Sequence, residues 1–298
     1  MQSDDRDPVG VVGFVGLGDM GAGIAANYAR SGLDLLAHDL RAELEPEVRG
    51  WGGDWAASTD ELLGRSRILC VCLVDDRQLR GFVDQAQVFA GLAPGSTLVV
   101  HSTVSPELMG QLADEAAGQG VEVVDAPISG SHARAVAGTL SVMVGATATT
   151  FERLRPLWDA MSAHAYRISD TPGSGQVVKL CNNMMTIANN LVALEAITIA
   201  ESYGVEESAF LDVVRTSSGS SWIVEHWGTI DTLLMTHPQA GRGADFHLLV
   251  KDIRDAVRIG AERGRAPEIA GAATSAAPRV FGERLDDLRK AASAGRPA

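Results

Sequence analysis

Val9-Gly10-Val11-Val12-Gly13-Phe14-Val15-Gly16-Leu17-Gly18-Asp19-Met20-Gly21 is the stretch whose reading decides the fold. Val9 to Val15 is a short apolar run with strand propensity. It enters three glycines, Gly16, Gly18 and Gly21, at the G-x-G-x-x-G spacing. That spacing serves a tight turn, backbone access to a pyrophosphate and close helix–strand packing. A helix is expected from Met20 to Ser31 with Gly32 as its stop, and its first N–H groups and dipole would face the phosphates. Leu33 to Ala37 reads as the next strand. Asp39 follows 18 residues after Gly21, where a carboxylate accepts hydrogen bonds from ribose hydroxyls. Strand, glycines, helix, strand and acid arrive in order, so Gly16, Leu17, Gly18, Asp19, Met20, Gly21 and Asp39 are read as a dinucleotide site. Asp39 would repel a 2′-phosphate and favours NAD, whereas Arg41 could reach one, which keeps NADP as the alternative cofactor.

Working outward, 298 residues suffice for one large domain or two of ordinary size. A hydrophobic fraction of 46% with 21% charged residues is that of a globular chain. The net charge of −13 lacks the basic footprint that nucleic acid requires and disfavours an anionic membrane. No apolar run reaches transmembrane length, and the acidic leader Met1 to Pro8 has no signal-peptide core. The expectation is a cytoplasmic protein. Cys70, Cys72 and Cys181 lie in apolar segments and suggest neither a disulfide framework nor a metal site.

Strands and helices go on alternating. Arg67 to Val74, Ser96 to Val100, Val121 to Val124, Leu140 to Val144 and Ala165 to Ile168 read as strands. Arg77 to Phe89 reads as a helix, Ser105-Pro106 as an N-cap and first helical position, and Thr149 to Glu152 as a capping box. This is a doubly wound, mostly parallel α/β sheet of Rossmann type. Ligands bind beyond the carboxyl ends of such strands, which places Leu73, Val74, Ser102 and Thr103 at the cofactor and Ser129-Gly130 nearby. His101, at a strand end, is undecided.

After Gly175 strand signals nearly stop. Ser174 to Tyr203 reads as one helix roughly 45 Å long, apolar on most faces and hence buried, with Gly204 as its C′ residue. Lys179 and Asn183 are at i and i+4 on one face near its start. Glu206 to Thr216, Asp245 to Arg263 and Pro278 to Ala292 are further helices, and Trp222, after a Ser/Gly loop, is either a pocket lid or a core side chain. The expected organisation is a dinucleotide-binding domain over 9–172, a helical domain over 173–292, and flexible tails at 1–8 and 293–298.

Four stretches together resemble the β-hydroxyacid dehydrogenase family, typified by 3-hydroxyisobutyrate dehydrogenase. They are Gly16-Leu17-Gly18-Asp19-Met20-Gly21 with Ala25 and Asn27; Asp125-Ala126-Pro127-Ile128-Ser129-Gly130 with Ala135 and Gly138-Thr139-Leu140; Gly173-x-Gly175-x-x-x-Lys179-x-x-Asn182-Asn183; and Lys251-Asp252. The resemblance implies a Rossmann-type domain, a long interdomain helix, a helical domain used in homodimer or homotetramer assembly, and NAD(P)-dependent oxidation of a hydroxy acid. It makes Lys179 the catalytic lysine and Asn183 its partner one turn later. Ser129 and Gly130, with the N–H of Ser131, become the carboxylate loop, and Lys251 a second cation, with a solvated Lys251-Asp252 pair as the alternative. The family usually has Ser-Gly-Gly where this chain reads Ser129-Gly130-Ser131 followed by His132, so the pocket is expected to be narrower or more polar. The spacing from Phe246 to Lys251 is also shorter than in the family.

The chemistry is consistent with the resemblance. Hydride transfer to a carbonyl builds charge on oxygen, and a positioned acid must supply a proton. A lysine can serve if burial lowers its pKa from about 10.4 toward neutrality. The rival readings are an imine reductase of the same architecture, in which the lysine is usually replaced, and a non-catalytic dinucleotide-binding protein, in which the lysine or its asparagine would be lost. His132 and Cys181 are read as structural.

Overall fold

The computed structural model describes residues 9–236 and 247–293; the tail at 1–8, Phe246 and residues 294–298 lie outside the described residues. The chain divides into two compact units, one ending at Lys179 and the other beginning at Leu180. That division falls inside the long helix.

The first unit carries nine strands: β1 (Val12–Val15), β2 (Leu35–His38), β3 (Asp54–Trp55), β4 (Ile68–Val71), β5 (Thr97–Val100), β6 (Glu122–Asp125), β7 (Ile128–Ser129), β8 (Leu140–Gly145) and β9 (Ser162–Ser169). They form one sheet in the order β3-β2-β1-β4-β5-β6-β8-β7, with β9 on β8. β1 to β6 pair in parallel, β8 runs antiparallel to β6 and β7, and β9 is parallel to β8. Successive side chains of a strand point to opposite faces, so each strand feeds two cores. Val12, Phe14, Ile68, Cys70 and Val99 enter one; Val15, Leu69, Val71, Leu98 and Val100 enter the other. Both faces are covered by helices, which explains why these strands read as unbroken apolar runs. Cys70 is buried, and Cys72 packs against the same core.

The second unit is helical throughout its described residues. The body of the long helix packs Ile187, Leu191 and Leu194 against Ile230 and Leu234 of Thr229–Thr236, Val250 and Ile253 of His247–Glu262, and Val280 and Phe281 of Glu268–Ser293. Arg284 ties this unit together through ion pairs with Glu207 and Asp231, both at 2.6 Å, and lies over the Trp227 ring.

Several sequence expectations need correction. The helix expected over Arg77 to Phe89 is two, Asp76–Gln85 and Val88–Gly91, broken where Gln87 takes φ +49°. The capping box at Thr149 is replaced by Thr147, whose Oγ1 accepts from Thr150 N–H at 3.2 Å. The last helix starts at Glu268, not Pro278, and runs through the proline and on to Ser293, which the sequence reading assigns to the tail. Burial of Ala277, Val280 and Phe281 outweighs the ~3 kcal/mol that an interior proline costs. The long helix spans Ser174–Ser202 and ends on Gly204 at φ +78° as read. It is not buried on all its apolar faces: Met185, Val192 and Ile199, each seven residues on from the last, are 61%, 63% and 63% exposed. Seven residues are nearly two full turns, so with Val178 they form one apolar stripe.

Candidate active site

Chain order reverses at β1, which lies between β2 and β4, and ligands bind at the carboxyl ends of strands beside such a switch point. There Gly16 takes φ +91°, and a Cβ on it would collide with the Cys72 carbonyl; a Cβ on Gly21 would collide with the carbonyl of Gly16. Gly18 differs: a Cβ there would meet nothing within 4 Å. So two of the glycines build the turn and the third keeps its outer side open. The helix Asp19–Arg30 starts after Gly18 with no side-chain cap on its first N–H groups. This bare, glycine-shaped helix start fits a dinucleotide pyrophosphate.

Asp39, just beyond β2, accepts from Leu17 N–H at 2.8 Å through Oδ2 and from Arg41 Nε at 3.0 Å through Oδ1. Arg41 Nη2 in turn donates to the Leu17 carbonyl at 2.9 Å. Burial pulls the Asp39 carboxyl up, but the Arg41 guanidinium and the Leu17 N–H outweigh it and hold the group below its ordinary value. Arg41 is thus paired with the acid that the sequence sets against it.

Leu73 lies beside Gly16, and Val74 is half-exposed. Leu73 N–H donates to Ser102 Oγ at 2.7 Å, so the hydroxyl of Ser102, itself buried, clasps the ends of β4 and β5 together. Thr103 is half-buried beside it. His101, undecided from sequence, is a core residue: Nδ1 donates to the Ala126 carbonyl at 3.0 Å and Nε2 lies 3.1 Å from Tyr28 Oη. Burial lowers its pKa to about 4.

Ser129 closes β7, Gly130 takes φ +146°, and Ser131 precedes the short helix His132–Val136. That helix rides on Asp19–Arg30. A Cβ on Gly23 would reach 2.9 Å from the Ala135 backbone, and Asn27 Nδ2 donates to the Ala135 carbonyl at 2.7 Å. His132 Nδ1 donates to the Asp19 carbonyl at 2.7 Å. The Asn27, Ala135 and Gly138 of the sequence motifs are therefore packing residues joining the loop 129–131 to the helix Asp19–Arg30.

The largest contribution that sequence reasoning missed is at the start of the long helix. Asp125, at the end of β6 and fully buried, accepts from Gly173 N–H at 2.7 Å and from Gln176 N–H at 3.0 Å. It caps the helix from some 50 residues away in sequence. Burial pushes its carboxyl up to about 6 against the lowering effect of these N–H donors. Gln176, also fully buried, donates to the Ser102 carbonyl at 2.9 Å and accepts from Val104 N–H at 3.1 Å. Gly173 stands at φ +90° against Pro106, and a Cβ on Gly175 would collide with the Met143 carbonyl. Lys179 follows on the second turn and is buried at 8% exposure. The missed signal was an acid ending a buried strand together with paired glycines at a helix start.

In the second unit Asn183, one turn past Lys179 on the same helix, donates Nδ2 to Asp252 Oδ2 at 2.5 Å and accepts from Asn182 at 3.1 Å. Asp252 pairs with Lys251 at 3.0 Å, and Asp255 lies 3.8 Å from the same ammonium. Side-chain exposures of 14% and 12% for Lys251 and Asp252 set aside the solvated-pair alternative. Trp222 is 48% exposed and stacked on His226, which excludes a core role for it. No helix among the described residues is long and apolar enough to cross a membrane.

Residues 11–172 match the model of the NAD-binding domain of 6-phosphogluconate dehydrogenase, and residues 173–288 that of the NAD-binding family of NADP-dependent 3-hydroxyisobutyrate dehydrogenase. The chain is 29% identical over 272 residues to the NAD-dependent L-serine dehydrogenase of Pseudomonas aeruginosa, covering 90% of this chain and 87% of that protein. It is 32% identical over 219 residues to the L-threonate dehydrogenase of Escherichia coli K12, covering 72% of each. The solved structure of Mycobacterium tuberculosis 3-hydroxyisobutyrate dehydrogenase with L-serine superposes with a TM-score of 0.79 at 23% identity, over 94% of this chain and 95% of that one, and shares the fold. With two family models covering nearly the whole chain and these relatives behind them, the protein belongs to the β-hydroxyacid dehydrogenase family and is an NAD(P)-dependent oxidoreductase of hydroxy acids.

Proposed function

We propose that the protein transfers a hydride between a small 3-hydroxy acid, or its semialdehyde, and NAD, with Lys179 as general acid/base. The observation that carries this reading is the placement of Lys179. It is a buried lysine one turn beyond a helix start hydrogen-bonded to the carboxyl ends of β5 and β6. Those strand ends lie along the edge at which a doubly wound sheet binds its ligands.

The dinucleotide supplies the hydride acceptor in oxidation and the hydride donor in reduction. The chain's residues do the rest. Ser129 Oγ and the N–H groups of Gly130 and Ser131 hold the substrate carboxylate. Lys179 Nζ takes the hydroxyl proton during oxidation and returns it to the carbonyl oxygen during reduction. Asn183, oriented by its bond to Asp252, hydrogen-bonds the lysine or the reacting oxygen. Gly16 to Gly21, Leu73, Val74, Ser102 and Thr103 line the cofactor side. Asp39 selects the unphosphorylated ribose, and its pairing with Arg41 leaves that cation less available to a 2′-phosphate.

The functional division is 9–172 for the dinucleotide and 173–292 for substrate and assembly. The stripe of Val178, Met185, Val192 and Ile199 supports homodimer or homotetramer formation through the helical domain, because exposed apolar runs of this kind mark interfaces. The setting is the cytoplasm.

The test is NADH formation across 3-hydroxyisobutyrate, L-serine, L-threonate and 4-hydroxybutyrate, with semialdehyde reduction as the reverse assay. Lys179→Ala should lose about 10²- to 10⁴-fold in turnover, the range of a general acid/base, while still binding NADH by fluorescence. Unchanged turnover in that variant would remove the lysine from the mechanism.

A further inference from the structure

Asp125 carries a charge that the chemistry above does not use, and it is sealed from solvent. Its two oxygens bracket the first turn of the long helix, one on Gly173 N–H and the other on Gln176 N–H. Gly173, the residue before the helix, has no side chain with which to cap it. The surroundings are cut to the carboxylate: a Cβ on Gly145 would collide with Oδ1, and one on Gly175 would come within 2.8 Å of Oδ2. Gln176 locks the same turn a second time, through Ser102 and Val104 beyond β5. Lys179 stands at i+4 from Gly175 and i+3 from Gln176, on the same helix face. It lies about 4.5 Å along the axis from the residue that Asp125 and the β5 end both hold.

We propose that Asp125 is a positioning residue for Lys179: by capping the long helix from the end of β6, it sets the height and rotation of the lysine relative to the strand ends that carry the cofactor. This rests on the reading of Lys179 as the acid/base. The reason for a capping acid from a distant strand is geometric. A local Ser or Asp cap stabilises a helix but leaves it free to slide or turn as a body, whereas an acid fixed in the sheet ties the helix start to the sheet itself. Reacting groups displaced by about 1 Å can lose some 100-fold in rate, so such a tie acts on turnover more than on cofactor affinity.

The test is a double-mutant cycle on the full-length protein. Asp125→Asn keeps the shape but sets an NH₂ group against the backbone donors. Alone, it should lower kcat for hydroxy acid oxidation by about 10- to 100-fold, with the Kd for NADH unchanged within about twofold. In the Lys179→Ala background, assayed at high enzyme concentration, it should cost less than about twofold, because there is no lysine left to position. Equal fold losses in both backgrounds would show general damage and overturn the proposal, as would an unchanged kcat in the single variant. If Lys179→Ala itself keeps full turnover, the acid/base reading fails first, and the cycle shows which of the two has failed. Should Asp125→Asn not accumulate as folded protein, Gln176→Met removes the second anchor of the same turn. That variant should show the same non-additivity with Lys179→Ala, and additivity there would overturn the proposal equally.

Discussion

The glycine-rich turn at Gly16 and the start of the long helix at Gly173 follow one plan but are secured in different ways. In each, a glycine at positive φ leads into a helix, and a carboxylate from the end of a parallel strand accepts nearby backbone N–H groups. Asp39 does so at a half-open edge with a guanidinium beside it, and its carboxyl is held low. Asp125 does so in a sealed pocket with N–H donors alone, and burial pushes it up to about 6. The first turn is open on the Gly18 side, where a ligand can approach. The second is fully enclosed, which suits a turn whose task is to hold a side chain in place. One acid stands at an open edge and the other in a closed frame.

That contrast can be broken most forcefully at its glycines. Gly175→Ala drives a methyl group into the Met143 carbonyl and against Asp125. It should cost about 2–4 kcal/mol and lower the thermal midpoint by ~5–10 °C. Gly18→Ala meets no neighbour; its midpoint should stay within about 1 °C of wild type, while the Kd for NAD rises about tenfold or more as the added methyl blocks the pyrophosphate. Calorimetry with cofactor titration on both variants checks the pair. Equal effects on stability would erase the distinction between an open turn and a sealed one.

A smaller effect separates the two acids by pH. An acid raised in the folded state stabilises it at low pH, and that contribution is lost as pH rises through the folded value, here about 6. His101, lowered to about 4, works in the opposite direction: its contribution is full above about 6.5 and is lost as pH falls toward 4. Between pH 6 and pH 4 the two offset each other in the wild type. Asp125→Asn removes one side of the balance, so the variant should lose stability on acidification more steeply than wild type, by on the order of 2–3 kcal/mol across that window. Urea unfolding at pH 7, 6, 5 and 4 measures it, and parallel curves would contradict the assignment.

The smallest change is expected at Asp39. Asp39→Asn should narrow the ratio of NAD to NADP affinity by about tenfold, ~1.4 kcal/mol, with a midpoint shift under about 2 °C. Paired fluorescence titrations read the ratio. A wild-type preference for NADP above tenfold would reverse the role given to this carboxylate.

What the amino-acid order determined by itself is what depends on neighbours in sequence. The strand–glycine–helix–strand run to Asp39, the apolar runs of β4, β5 and β6, and the 29-residue helix carrying Lys179 and Asn183 all follow from local periodicity, propensity and turn chemistry. The contacts that give those elements their precision join residues far apart, and no local pattern specifies them. Asp125 reaches Gly173 and Gln176 across 48 and 51 positions, Asn183 reaches Asp252 across 69, and His132 reaches the Asp19 carbonyl across 113. The helix through Pro278 and the exposed stripe at Met185, Val192 and Ile199 were likewise decided by packing, since burial of one face can outweigh a lost hydrogen bond and a lone chain cannot cover every apolar face. Lys179 was legible as a residue type at a spacing. The frame that aims it was decided only when β6 and the helix start came together in the folded chain.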